Sequence, residues 1–308
     1  MSTKVKPVEL AKRSRLRLSR PWASLTAIII ALLWTTPTFG LLLSSFRPES
    51  DIKNSGWWTF FSNPNFTIEN YNEVLYGSGS SGRLAEAFIN SLVITIPSVL
   101  FPMALAALAA YALCWVKFKG RDWFFIGIFA LQVVPLQMSL VPLLSFFSEG
   151  ASIGGVTLLP SWGLEGEWEF IQVWFAHTCF GLPLSVFLLH NFMSELPGSV
   201  IESARVDGAS HGAIFRRIVL PLITPALASL GIFQFLWVWN DLLVALVFAS
   251  GPETSPLTAK LADMAGSRGS EWQRLTAGAF VSIVVPVAVF LGLQRYFVRG
   301  LLAGSVKG

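Results

Sequence analysis

Apolar residues in this chain come in long unbroken stretches rather than at the short intervals of a half-buried strand or a surface helix. Six such stretches, nearly free of charge, run from about Trp22 to Phe46, Leu84 to Val116, Trp123 to Phe147, Phe170 to Met193, Leu222 to Phe248 and Leu275 to Val298. A helix needs about 20 apolar residues to cross a bilayer core, and each stretch supplies them. The pattern predicts an all-α polytopic membrane protein of six transmembrane helices, because a helix satisfies its own backbone in lipid. Prolines interrupt the second stretch at Pro97 and Pro102 and the third at Pro135 and Pro142. Each removes a backbone donor, so neighbouring helices or water must accommodate the kinks.

Composition agrees. Of 308 residues, 13% are charged and 53% hydrophobic, and the mean hydropathy is +0.60, which excludes an ordinary cytosolic enzyme. The pI of 9.2 does not point to nucleic acid, since the bases gather in the short segments between spans. With the N-terminus inside, sixteen of the 22 Lys and Arg fall on inner segments, and only Arg47, Lys53, Arg83, Lys260, Arg268 and Arg274 fall outside. That bias predicts that both termini are cytoplasmic. The stretch Glu149 to Glu169, on the outer side, holds four acids and no base.

The expected organisation is a basic cytoplasmic segment over 1–21, a six-span region over 22–298 and a cytoplasmic tail over 299–308, with outer loops at about 47–83, 148–169 and 249–274. The first span follows seven bases and resembles a signal peptide, but it is longer than the apolar run of one and lacks a small-residue cleavage site. It is read as a retained anchor. Cys114 and Cys179 share no metal-ligand spacing, so neither a disulfide framework nor a metal site is expected.

One cytoplasmic segment, 195–221, is more elaborate than a turn. Ser199 and Glu202 have the spacing of a capping box, and Gly208 supplies the freedom for a sharp reversal after Asp207. Ser210 is placed to cap a second helix, with Ile214, Phe215, Ile218 and Val219 on its apolar face and Arg216 and Arg217 on the other. Pro221 and Pro225 are expected to part this helix from the fifth span. Two short helices joined at a glycine either space two spans or dock into a partner's groove.

The run Glu202-Ser203-Ala204-Arg205-Val206-Asp207-Gly208-Ala209-Ser210, followed by Ile218, Leu220-Pro221 and Pro225, resembles the "EAA" loop of permease subunits of binding-protein-dependent ABC importers. Ser203 stands where that pattern has its first alanine, a small-for-small change. Trp239-Asn240-Asp241, Ala176-His177-Thr178 with Gly181-Leu182-Pro183, and the tail from Tyr296 to Gly308 resemble the carbohydrate branch, and the tail with Leu257-Thr258-Ala259-Lys260 is most similar to α-glucoside and oligosaccharide permeases. The resemblance implies a type I importer permease in the bacterial inner membrane. It implies a homologous second permease, two ATPase subunits carrying the ATP and Mg, and a periplasmic or lipid-anchored substrate-binding protein. It assigns ATPase coupling to Glu202, Ser203, Ala204, Asp207, Gly208 and Ala209, and lets the tail end, Ser305 to Gly308, reach between the ATPases.

The chain has no GxxxxGK phosphate loop, no HExxH pair and no nucleophile-and-base motif, so no catalytic residue and no bound cofactor are expected in it. Asp241 is the one carboxylate well inside an expected span, where a charge is costly enough to be functional or paired. With Gln234, Trp239 and Asn240 it forms a mixed aromatic and amide surface of the kind that binds sugars. The other reading is that Trp239 packs, Asn240 bonds backbone and Asp241 pairs with a base on another helix. Gln132 and Gln137, flanking Pro135, are weaker candidates of the same kind, and interhelical bonding is the favoured reading for them. A rival class is an ion-coupled secondary carrier complete in one chain, with Asp241 as coupling site. Broken helices suit it, but the hairpin and the lack of an evident internal repeat do not.

Overall fold

The computed structural model describes residues 21–77, 83–163, 165–266 and 271–305, with side chains except at 167 and 295–305. The basic segment 1–20 and the last tail residues, 306–308, lie outside the described residues.

Five described helices are long and apolar enough to cross a membrane, or six if one bent pair is counted as a span. They are α1 (Pro21–Ser45), α4 (Leu84–Trp115), the pair α5 (Arg121–Ala130) and α6 (Leu136–Glu149), α7 (Glu169–Ser194), α10 (Leu220–Trp239) with the turns before it, and α13 (Trp272–Ser305). Short helices α2 (Glu49–Asn54) and α3 (Glu69–Tyr76) follow α1, and α12 (Leu257–Gly266) precedes α13. Between α7 and α10 stand α8 (Gly198–Val206) and α9 (His211–Ile214); α11 (Leu243–Phe248) follows α10.

Three expectations are corrected. The third span is not one rod but two helices bent by 100°, because Val134, preceding Pro135, is forced to an extended ψ of 118° and the helix stops there. The fifth span starts earlier, at His211, and stops earlier, at Trp239. Pro221 does not part the second hairpin helix from it, since Phe215–Val219 widen to a π-helix in which Leu220 N–H reaches Phe215 O, and the wider turn accommodates the proline ring. The segment after α6 also carries a two-stranded hairpin, β1 (Ala151–Ile153) and β2 (Val156–Leu159), paired antiparallel across Gly154-Gly155, whose φ of 59° and 82° make the tight turn that hairpins favour.

The core pair is α4 against α7, the most extensive helix contact in the bundle. Small buried residues, Ala106, Ala107 and Ala110 on α4, share a core cluster with Val186, Leu189 and Met193 of α7 and let the helices approach closely. Proline then creates a requirement. Pro97 has no N–H to give to Val93 O, four residues back, and Trp174 of α7 donates its indole Nε1–H to that carbonyl at 2.9 Å. The same arrangement recurs between α10 and α13. Pro286 frees Ser282 O, and Trp239 Nε1 donates to it at 3.1 Å.

Outside the spans, α1 ends under a polar clamp. Asn70 Nδ2 donates to Ser45 O and Arg47 O at 2.9 Å each, while the buried Arg47 reaches Asp51 O, Ser55 Oγ and Thr59 Oγ1. Tyr71 Oη lies 2.8 Å from Ser45 Oγ, and burial raises its phenol above the usual range.

The proline and indole pairing is open to a double-mutant cycle on Trp174 and Pro97. Trp174→Phe strands a buried carbonyl and should cost roughly 1–3 kcal/mol in thermal unfolding of the purified chain. Pro97→Ala restores the missing N–H, so the cost of Trp174→Phe should shrink by at least half in that background; an unchanged cost would refute the pairing.

Candidate functional site

At one end of the bundle, α8 begins with Pro197 in the N-cap position, not with a Ser199 cap. Ser199 sits in the first turn, Glu202 is exposed, and no side-chain bond caps the helix, so the expected capping box is corrected. Proline presets the entry dihedral instead. The other end follows expectation. Gly208 has φ +82°, with Gly208 N–H bonded to Arg205 O and Ala209 N–H to Ala204 O, a Schellman stop that needs a residue free of Cβ strain. Nothing lies within 4 Å of a Cβ placed there, so the demand on Gly208 is conformational, not spatial. Ser210 then caps the next turn, accepting from Ala213 N–H at 3.4 Å.

The hairpin is bound firmly to the bundle. Ile201, Ile214 and Val219 are buried with Tyr111, Leu189 and Met193, and Ala204, Ala209, Phe215 and Ile218 pack around them. Arg205 donates to Trp115 O at 2.7 Å, placing a cation on the free carbonyl end of α4. Tyr111 Oη meets His211 Nδ1 at 3.0 Å. Glu202, Ser203, Val206, Asp207 and Gly208 are exposed, Val206 by 87%, as are the start of α8, Arg205, residues 210–212, Arg216 and Arg217. An apolar side chain on a glycine-closed tip, held by a rigid base, is a docking surface in form.

The second feature lies where the helices break. A cavity of ≈ 750 Å³ opens between the α5–α6 bend, α7 and α10. Its wall includes Gln132, Pro135, Cys179, Phe180, Gln234 and Trp237. Gln234 is 2% exposed, and its Nε2 has no hydrogen-bond partner. The amide fits only because residue 181 is glycine, where a Cβ would lie 2.3 Å from Nε2. An unbonded buried donor costs about 1–3 kcal/mol, so its retention at a cavity wall calls for a reason.

Of the four residues marked by sequence for the pathway, Gln234 alone lines this cavity. Trp239 is buried, stacked on Phe235 and edge-on to Phe88, with its indole on Ser282. Asn240 donates to Leu236 O at 2.7 Å, closing α10. Asp241 starts α11, its Oδ2 accepting from Val244 N–H at 2.9 Å and Ala245 N–H at 3.2 Å. The same oxygen lies 3.8 Å from Nε2 of the buried His177 on α7, and Thr258 donates to Asp241 O. The Trp-Asn-Asp run thus ends one helix and starts another. Gln137 is exposed and does not line the cavity, whereas Gln132 does. Trp237 and Cys179 were missed; the available signal was the spacing of Phe233, Gln234 and Trp237, which puts them on one helix face. No cluster of three His, Cys, Asp or Glu among the described residues could hold a metal ion.

Residues 74–302 match the family described as "Binding-protein-dependent transport system inner membrane component". The chain is 49% identical over 285 residues to the "Osmoprotective compounds uptake permease protein GgtD" of Synechocystis sp., covering 91% of this chain and 90% of that protein. It is 39% identical to the "Alpha-glucoside transport system permease protein AglG" of Rhizobium meliloti, covering 93% and 97%. A chain from the crystal structure of a bacterial ABC transporter involved in the import of the acidic polysaccharide alginate shares the fold, with a TM-score of 0.66 at 19% identity over 93% of this chain and 99% of that one. A self-contained ion-coupled carrier finds no support in these relatives.

If Asp241 serves as a helix cap, Asp241→Ala should lower the unfolding midpoint of the purified chain by several degrees, from a cap worth about 1 kcal/mol and the loss of its His177 neighbour. Asp241→Asn keeps a capping oxygen and should lie close to the parent. Equal losses for the two would mean that charge, not capping, is what the site requires.

Proposed function

The chain belongs to the family of binding-protein-dependent transport system inner membrane components, and from that premise we propose that it is one permease subunit of an ATP-driven importer for an α-glucoside or related di- or oligosaccharide. As a multi-pass inner-membrane component it is not itself an enzyme. ATP and Mg belong to two separate ATPase subunits, and a homologous second permease completes the path. A substrate-binding protein delivers the ligand on the outer side. The bias of Lys and Arg supports an orientation with both termini and the hairpin in the cytoplasm.

The observation that carries this reading is the hairpin: an exposed edge from Glu202 to Gly208 on a base buried in the core of α4, α7 and α10. A lever must be free at one end and fixed at the other. Glu202, Ser203, Val206, Asp207 and Gly208 present the free end, with Ala204 and Ala209 partly buried beneath. Ile201, Ile214 and the Arg205 bond to Trp115 O hold the fixed end. Lodged in an ATPase cleft, the tip would move with nucleotide-driven closure, and the bond to α4 would carry that displacement straight into the tightest helix pair. Nucleotide and loaded binding protein then need only favour the same conformation of the bundle.

The substrate class rests on the named activities of relatives together with the uncharged, amide-bearing cavity wall. Both "osmoprotective compounds" and α-glucosides are compatible with a neutral, hydroxyl-rich ligand.

Gly208→Val forces a β-branched residue to φ +82° and Glu202→Lys reverses the charge of the exposed edge. Each should leave membrane insertion intact while ATP-dependent sugar uptake by the complete complex falls by about tenfold or more and the ATPase subunits co-purify in reduced amount. Parental uptake and parental ATPase recovery in both variants would overturn the coupling role.

A further inference from the structure

We infer that the cavity at the α5–α6 bend is a sugar subsite of this chain, in which Gln234 hydrogen-bonds ligand hydroxyls, Trp237 offers an apolar ring face and Gln132 supplies a second amide at the rim. The inference rests on the importer reading above and locates substrate contact within it.

Four observations converge. At ≈ 750 Å³ the cavity has the size of small-molecule sites, which run from about 300 to 1,000 Å³. No residue of its wall is charged, so it suits a neutral ligand and has nothing to balance an ion. The wall pairs apolar surface from Phe180, Phe233 and Trp237 with amides from Gln132 and Gln234, matching a sugar's CH-bearing face and its hydroxyl edge. Gln234 Nε2 is a buried donor without an acceptor, held against Gly181 beside the space a hydroxyl oxygen would fill. A lipid tail would fill the same volume but bring no acceptor, leaving that donor unsatisfied.

The backbone supports the same assignment. A helix broken at membrane depth, as at Val134-Pro135, is tolerated where the break lines a cavity, and residues 131, 132, 134, 135 and 136 all contribute to this wall. Trp237 is held edge-on to His177 with ring centres 5.4 Å apart, and His177 is in turn next to the Asp241 carboxylate that caps α11. The aromatic face of the subsite is therefore positioned by the second helix break.

Cys179 gives a native probe, since it is exposed, lines the cavity and is one of only two cysteines in the chain. In the complete complex carrying Cys114→Ala, modification of Cys179 by N-ethylmaleimide is followed by mass spectrometry of its peptide. The panel is trehalose, maltose and sucrose, whose ATP-driven import is measured in the same vesicles. The imported sugar, in excess over its Kd, should slow modification by about fivefold or more, and a sugar that is not imported should not. Gln234→Leu and Trp237→Leu should each lower the sugar imported per ATP hydrolysed by about fivefold or more. If a sugar is imported but leaves the Cys179 rate unchanged, the subsite is overturned while the importer reading stands, and the cavity belongs to lipid. ATP-driven import of none of the three sugars would instead overturn the importer reading.

Discussion

In a bilayer core no water is available to bond a stray N–H or C=O, so every backbone group that a proline or a helix end sets free must find a partner inside the protein. This chain meets that requirement with side chains from neighbouring helices. Trp174 answers the carbonyl opened by Pro97, Trp239 the one opened by Pro286, Arg205 the free end of α4, and Asp241 the free start of α11. These bonds join α7 to α4, α10 to α13 and the hairpin to α4. The kinks and breaks thus add specific bonds between helices to the packing of their apolar faces.

The two candidate regions use this economy in opposite ways. At the hairpin the groups at its turn and base are answered: Gly208 closes α8 through two backbone bonds, Arg205 takes the Trp115 carbonyl, and the apolar side of the second helix is buried. The result is a projection with a buried base and an exposed tip. At the cavity one group is left open. Gln234 Nε2 has no partner, and the chain around it supplies space in place of an acceptor, through Gly181 on one side and the bend at Pro135 on the other. A buried donor without an acceptor is a standing cost, and it is removed when a ligand oxygen arrives.

Much of the fold was legible because the signals for it are local. Long apolar runs marked the first, second and fourth spans closely, whereas the third breaks and the fifth starts and stops earlier than its run; glycine at 208 with serine at 210 marked the reversal and its cap. The misplaced features depend on competition between local signals. Ser199 and Glu202 have capping-box spacing, yet Pro197 takes the N-cap position two residues earlier and leaves Ser199 inside the first turn. Pro221 and Pro225 read as helix breakers, but a π turn absorbed the first and the helix continued. Pro135 lies inside a run of the same hydropathy and did break it. Proline alone does not choose between a kink, a π turn and a stop; the packing around it does.

The Trp239-Asn240-Asp241 run shows why composition misleads about sites in membranes. An aromatic, an amide and a carboxylate together have the chemistry of a sugar-binding surface, but the same three groups are what a span needs in order to stop and restart in lipid. The indole bonds the neighbouring helix, the amide takes Leu236 O, and the carboxylate takes the first N–H groups of α11. Those bonds occupy the indole N–H, the amide nitrogen and one carboxylate oxygen. A group can serve a ligand only if the fold has not already used it, and on that criterion Gln234, whose amide nitrogen remains unbonded beside a cavity, is the stronger candidate for substrate contact. The break built by the run still matters to the site, because it sets where α10 ends and hence how Trp237, two residues earlier, faces His177 and the cavity.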